Sequence, residues 1–392
     1  MRAYGVASGE ALRARSLLKD WAEEGFLTLE QYRRMEQDTA CEFRRTNIFL
    51  RLVLFLFTLI VVGTAAALVF VLFMSRADKG TTGIVLLIFA AASYAAAESA
   101  VSRGRLYCYG IEEALAVCSV GFFCGGIDAA LVSGFLVPAA GAIASLWIWH
   151  RFGLVYAFLG AMIFTAVLPG YWSSSHWVQH LILVSLYAAG LIAVAAVRPR
   201  RRFSALNGDY SIIEALLWLG IYLTINLQFS GVQELGPWFG GGGRPIADFP
   251  RVFYWATWVL TWCVPPAVLA RGLRGKDRFV IAVGAIVALL TLITNKSYLG
   301  WTRHTWDPML LGGFLIGSAL FLRRWLADGP HGIRHGFTAR RLSAKDKGLV
   351  TAASAVVGLA SPNSIALNAR AGSTGAQFGG GDFGGGGASS DF

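Results

Sequence analysis

Apolar residues fill ten stretches of the chain, 52–74, 82–100, 110–127, 129–149, 152–170, 177–197, 210–228, 252–270, 278–294 and 307–323, with short polar connections between them. The first, Leu52 to Met74, runs 23 residues without an ionisable side chain. A helix rises about 1.5 Å per residue, so this length crosses a hydrocarbon core of roughly 30 Å. The pattern predicts an all-α fold: a polytopic α-helical membrane protein of about ten transmembrane helices within residues 48–325.

The flanks read differently. Residues 1–47 are polar and predict a cytoplasmic helical leader. Leu17, Leu18 and Trp21 follow helical spacing and Gly25 ends that turn, while Thr28 and Gln31 have the spacing of a capping box opening a second helix. Phe26, Leu27, Tyr32 and Met35 are placed to pack the short pair together. Residues 326–371 form a basic cytoplasmic segment, in which Leu349–Ala360 is apolar but too short for an ordinary span and reads as a marginal, interfacial helix. From Gly372 to Phe392 the sequence is Gly/Phe-rich and low in complexity, and glycine at that density predicts a disordered tail.

Composition narrows the class. Of 392 residues, 55% are hydrophobic, mean hydropathy is +0.56 and only 15% are charged, against about 25% in soluble domains. The net charge of +11 sits beside helix ends and in the C-terminal segment, where it matches anionic lipid headgroups. No basic stripe with interleaved aromatics lies outside the loops, so nucleic acid is not expected as a partner. Five cysteines without C-x-x-C spacing supply neither a disulfide framework nor a zinc signature. The charged N-terminus and the late, long first apolar run argue against a cleaved signal peptide.

Basic residues give the orientation. With the N-terminus inside, the inner connections carry Arg103, Arg105, Arg151, Arg198, Arg200, Arg201, Arg202, Arg271, Arg274, Lys276 and Arg278. The outer ones carry only Arg76, Lys79, Arg244, Arg251, Lys296 and Arg303. The bias predicts cytoplasmic N- and C-termini. An internal repeat is also visible: Tyr109–Leu115 aligns with Tyr210–Leu216 at an offset of 101, with five identities in seven positions. Four spans separate the copies, so a duplication here is parallel rather than inverted.

Ionisable groups inside spans are costly and therefore functional candidates. Glu113 and Glu214, equivalent in the repeat, lead a candidate intramembrane acidic site with Glu98 and Glu112. Two readings stay open: a hydrated acidic cavity that binds a cation or passes a proton, or anchors paired with Arg103, Arg105 or Arg198 at the interface. His176, His180, His304 and Asp307 make a candidate outer-face polar cluster. Imidazole is a good metal or haem ligand, but histidines beside Trp172 and Trp177 also suit an interfacial belt. Neither a metal nor a cofactor is expected, and no nucleophile elbow, P-loop or dinucleotide fingerprint is present, so an enzyme is not expected either. Gly121 with Gly125 and Gly313 with Gly317 have the spacing of close helix contacts. Pro265-Pro266 predicts a break or kink in the eighth span.

The leader motif Leu18-x-x-Trp21-x-x-Glu24-Gly25-Phe26-Leu27-Thr28-x-Glu30-Gln31, followed closely by a span, resembles the start of a domain-of-unknown-function family of bacterial multi-pass membrane proteins. Glu113-Ala114-Leu115 followed by Gly121, Gly125 and Gly126 is similar to that family's repeated span-start pattern. The Gly/Phe tail departs from the family and is similar to endings on other bacterial envelope proteins. The resemblance implies a bacterial cytoplasmic (inner) membrane and supplies no activity or site residue. Two expectations follow. One is a structural or regulatory component that recruits a protein partner through the leader or tail; the other is a small-solute or proton-coupled transporter using Glu113 and Glu214.

Overall fold

The computed structural model describes residues 27–38, 47–73, 78–106, 109–131, 134–198, 207–229, 249–299, 307–328 and two short strands, with a few positions between 11 and 22. Its helices are α1 (Leu29–Asp38), α2 (Ile48–Phe73), α3 (Lys79–Ser102), α4 (Ile111–Ala130), α5 (Leu136–Phe152), α6 (Val155–Val167), α7 (Pro169–Trp172), α8 (His176–Val197), α9 (Asn207–Ile225), α10 (Arg251–Gly275), α11 (Arg278–Tyr298) and α12 (Asp307–Ala327). Ile333–Arg334 and Phe337–Thr338 pair antiparallel as β1 and β2. Among the described residues, seven helices are long and apolar enough to cross a membrane: α2, α3, α4, the α6–α7 rod, α8, α10 and α11. Each of the ten apolar stretches falls on a helix, with α5, α9 and α12 carrying the other three.

The chain divides into two compact units, residues 1–17 with 33–317, and residues 18–32 with 318–392. In the second, Thr28 and Gln31 form the expected capping box. The Thr28 N–H donates to Gln31 Oε1 at 3.0 Å and the Gln31 N–H to Thr28 Oγ1 at 3.3 Å. The helix α1 has no buried residue, and Met35 on it is exposed. Phe26, Cys41 and Cys108, the tail and Leu349–Ala360 lie outside the described residues.

The first unit has two cores. One joins Ala97, Val101, Ala116, Ile148, Phe152 and Leu154 across α3, α4 and α5. The larger is built from Met162, Tyr187, Ile213, Tyr222, Val268, Val287 and neighbours on α6, α8, α9, α10 and α11. Leu and Ile side chains elsewhere on these helices are exposed, Ile60 at 66% and Ile192 at 70% among them. That is the inverse of a soluble core and suits lipid contact.

Two glycine expectations are corrected. Among the described residues, a Cβ on Gly121, Gly313 or Gly317 would meet nothing within 4 Å, and one on Gly125 only ordinary contact with Leu86. The close approach lies instead between Gly83 on α3 and Gly126 on α4. A Cβ on Gly83 would come within 2.9 Å of the Gly126 carbonyl oxygen and the Ala130 nitrogen. Spacing alone does not say which small residue faces the neighbour.

Candidate functional site

Ion pairs join the starts of α2 and α4, the ends of α3 and α5, and the ends of α8 and α10 with α9. In each, an arginine meets an acidic candidate. Arg51, one turn into α2, reaches Glu113 in the first turn of α4. Its Nε donates to Oε2 at 2.9 Å and its Nη2 to Oε1, a bidentate pair. The backbone explains why they meet. Gly110, which precedes α4, has φ of +104°, and a Cβ there would fall 2.2 Å from the Arg51 carbonyl oxygen. Only glycine allows that approach.

A second pair joins Glu98 near the end of α3 to Arg151 near the end of α5, again bidentate, with Nε donating to Oε2 at 3.1 Å. The third group is a five-residue clamp. Arg198 at the end of α8 donates to both Glu214 on α9 and Asp277 in the α10–α11 turn, and Arg271 Nε donates to Glu214 at 2.9 Å. Ser211 donates its hydroxyl to Asp277. Asp277 also caps α11, accepting from the Phe279 N–H at 3.0 Å. Burial alone would raise the Asp277 carboxyl, but the hydrogen bonds from Ser211 and Arg198 outweigh it and hold the group below the ordinary carboxylate value.

Glu112 differs from its neighbours. It is fully buried, its Oε1 accepts the Tyr109 N–H at 2.8 Å, and its Oε2 has no hydrogen-bond partner among the described residues. Glu113 and Glu214 do not share a partner, so the structure does not bring the two acids of the sequence repeat to one site. Their environments also differ: Glu113 lies in the first turn of α4, whereas α9 begins at Asn207, two turns before Glu214.

At the start of α8, His180 Nδ1 lies 2.8 Å from the Thr224 carbonyl oxygen, and its ring packs against Phe249 and Phe253. His176 stands one turn earlier on α8. His304 and the Asp307 side chain lie outside the described residues. Among the described residues no group of three or more His, Cys, Asp or Glu is placed to hold a metal.

Two features escape the sequence reading. The first is an uncharged network buried between α9, α10 and α11. Asn226 Nδ2 donates to Tyr222 Oη and Thr294 Oγ1, both at 2.9 Å, and Tyr222 Oη lies 2.9 Å from Thr291 Oγ1. Tyr298 Oη accepts the Leu227 N–H at 2.6 Å. Tyr222 with Asn226, and Thr291, Thr294 and Tyr298, recur at helical spacing, a signal for one polar face per helix. The second is a cavity of about 360 Å³ between α6, α8 and α9. Leu159, Met162, Ile163 and Leu219 line it with His180, Tyr187 and Thr224. No family profile, curated protein sequence or solved structure matches the chain.

Proposed function

We propose that this chain is an integral component of the bacterial cytoplasmic membrane, with ten spans and both termini cytoplasmic, whose role is structural or regulatory. In this reading the helical bundle is a fixed scaffold, and the leader or the Gly/Phe tail recruits a protein partner. The observation that carries it is the neutralisation of the leading acids: Glu113 is held by Arg51, and Glu214 by Arg198 and Arg271. A carboxylate committed to two guanidinium bonds is a poor carrier of protons or cations, whereas such pairs lock helix ends. The inner bias of basic residues and the resemblance of the leader to bacterial membrane proteins support the placement.

The test has two arms. Proteoliposomes holding the full chain and a pH-sensitive dye are expected to leak protons no faster than empty ones. A solute or proton flux abolished by Glu214→Gln would overturn the scaffold reading. In cells, photocrosslinking from the full chain is expected to give discrete adducts that vanish when residues 372–392 are removed. A second reading, a proton-coupled transporter, rests on Glu112, whose buried Oε2 has no partner among the described residues. A proton flux lost in Glu112→Gln and retained in Glu214→Gln would favour it.

A further inference from the structure

We infer that the cavity between α6, α8 and α9 binds a lipid-soluble phenol, the chemical class to which quinols belong, through the Nε2 of His180. This rests on the bilayer placement proposed above, though not on any role for the leader or tail.

The tautomer comes first. A carbonyl oxygen only accepts, so the 2.8 Å contact with Thr224 puts the proton of the neutral imidazole on Nδ1. Nε2 then carries a lone pair, and among the described residues nothing donates to it. The hydroxyl hydrogens on the same wall are already committed. Tyr187 donates to the Met162 carbonyl at 2.9 Å, and Thr224 to the Gly220 carbonyl at 2.8 Å. The lining therefore offers acceptors and calls for a ligand that donates.

The rest of the wall sets the ligand's body. The volume of about 360 Å³ lies in the range of small-molecule sites, and the lining is otherwise aliphatic or aromatic. Leu159 and Ile163 on that wall are 43% and 60% exposed, so the cavity opens sideways along the helices rather than into a polar channel. His180 is the fifth residue of α8, about 6 Å along the axis from its outer start. That depth suits an amphiphile whose polar head sits just inside the interface and whose tail runs into the hydrocarbon. Phe229 on the lining, together with Phe249 and Phe253 around His180, favours a flat ring over a branched head.

The probe is a decylphenol with a diazirine on its chain, set against its methyl ether, which has the same shape and no hydrogen to donate. With the full-length protein in detergent, we expect the phenol to label peptides from α6 and α8 at least fivefold more than the ether. His180→Phe should remove that preference without abolishing labelling, and Leu159→Trp, which fills the cavity, should suppress labelling by both compounds. Equal labelling by phenol and ether would mean an acyl-chain groove and would overturn the inference, as would an unchanged preference in His180→Phe. His180→Gln guards against misfolding: it keeps an acceptor and is expected to retain part of the preference, and a complete loss in a folded His180→Gln protein also counts against the inference. None of these outcomes depends on proton flux or partner capture, so failure here is separable from failure of the scaffold reading.

Discussion

The Thr291 hydroxyl of α11 lies 3.1 Å from the Thr261 carbonyl of α10, the acceptor that Pro265 leaves without its helical donor. Proline at a helix interior removes one N–H and crowds the preceding turn. Yet α10 runs as one helix from Arg251 to Gly275 through Pro265 and Pro266, so of the expected break or kink the break does not occur. A neighbouring helix supplies the missing donor, as membrane helices commonly require. Thr291 also lies within hydrogen-bond reach of the Val287 carbonyl and Tyr222, which ties α9 into the repair.

Thr291→Val keeps the shape and removes the hydroxyl. It leaves Tyr222 and the Thr261 carbonyl short of a partner in a water-poor core, which costs about 1–3 kcal/mol. Unfolding in mixed detergent should show that loss, with Thr291→Ser keeping most of the stability. A wild-type unfolding curve for Thr291→Val would show that Pro265 needs no repair.

Gly110→Ala should be among the most damaging single-methyl changes in the protein. The backbone there has φ of +104°, where strain for a residue with a Cβ is about 1–3 kcal/mol, and the added carbon would meet the Arg51 carbonyl oxygen at 2.2 Å. Both effects push α4 from α2 and pull Glu113 off Arg51. Gly121→Ala, by contrast, meets open space and should leave the melting temperature unchanged. Thermal melts of the two variants side by side decide it.

The helices were legible because their signal is long and redundant: each apolar stretch holds enough side chains for one misleading residue to matter little. The capping box at Thr28 and Gln31 was legible because it is local. Partners were harder. Arg198 lies 16 residues from Glu214 and suggests itself as an anchor, but Arg51 lies 62 residues from Glu113 and Arg271 lies 57 from Glu214, and only the packing of helices brings them together. The glycine contacts show the same limit, since Gly121 and Gly126 differ only in which side of α4 they occupy. The uncharged network was missed because threonine and tyrosine are common in spans and announce nothing one at a time.

The clamp at Asp277 gives the protein an acid-sensitive element. The folded carboxyl is held below its ordinary value of about 3.9 by Ser211 and Arg198. A depressed folded value means the unfolded state binds the proton more readily, so the contribution is fully present above about pH 5 and disappears as pH falls through 4 toward the folded value. Melting temperatures between pH 7 and 3 should fall at the acid end, and Asp277→Asn should be less stable at pH 7 with a flatter acid limb. Parallel curves for the two proteins would place the acid sensitivity elsewhere.

Arg51 and Glu113 separate an interaction that holds the fold from one that carries traffic. Glu113 is almost wholly buried and Arg51 about one-third exposed, so removing the arginine strands a charge in a dry site, a penalty that removing both partners avoids at Glu113. Arg51→Gln and Glu113→Gln should each destabilise by about 2 kcal/mol or more, and the double variant should cost less than their sum, a coupling read from a thermodynamic cycle. Glu112 should behave in the opposite sense. Its Oε2 already lacks a partner among the described residues, so Glu112→Gln removes the cost of burying a carboxyl while keeping an acceptor for the Tyr109 N–H, and stability should hold or rise. If Glu112→Gln instead unfolds the protein while Glu113→Gln is silent, the carboxyl that secures α4 is the wrong one of the two, and the pairing drawn between α2 and α4 fails with it.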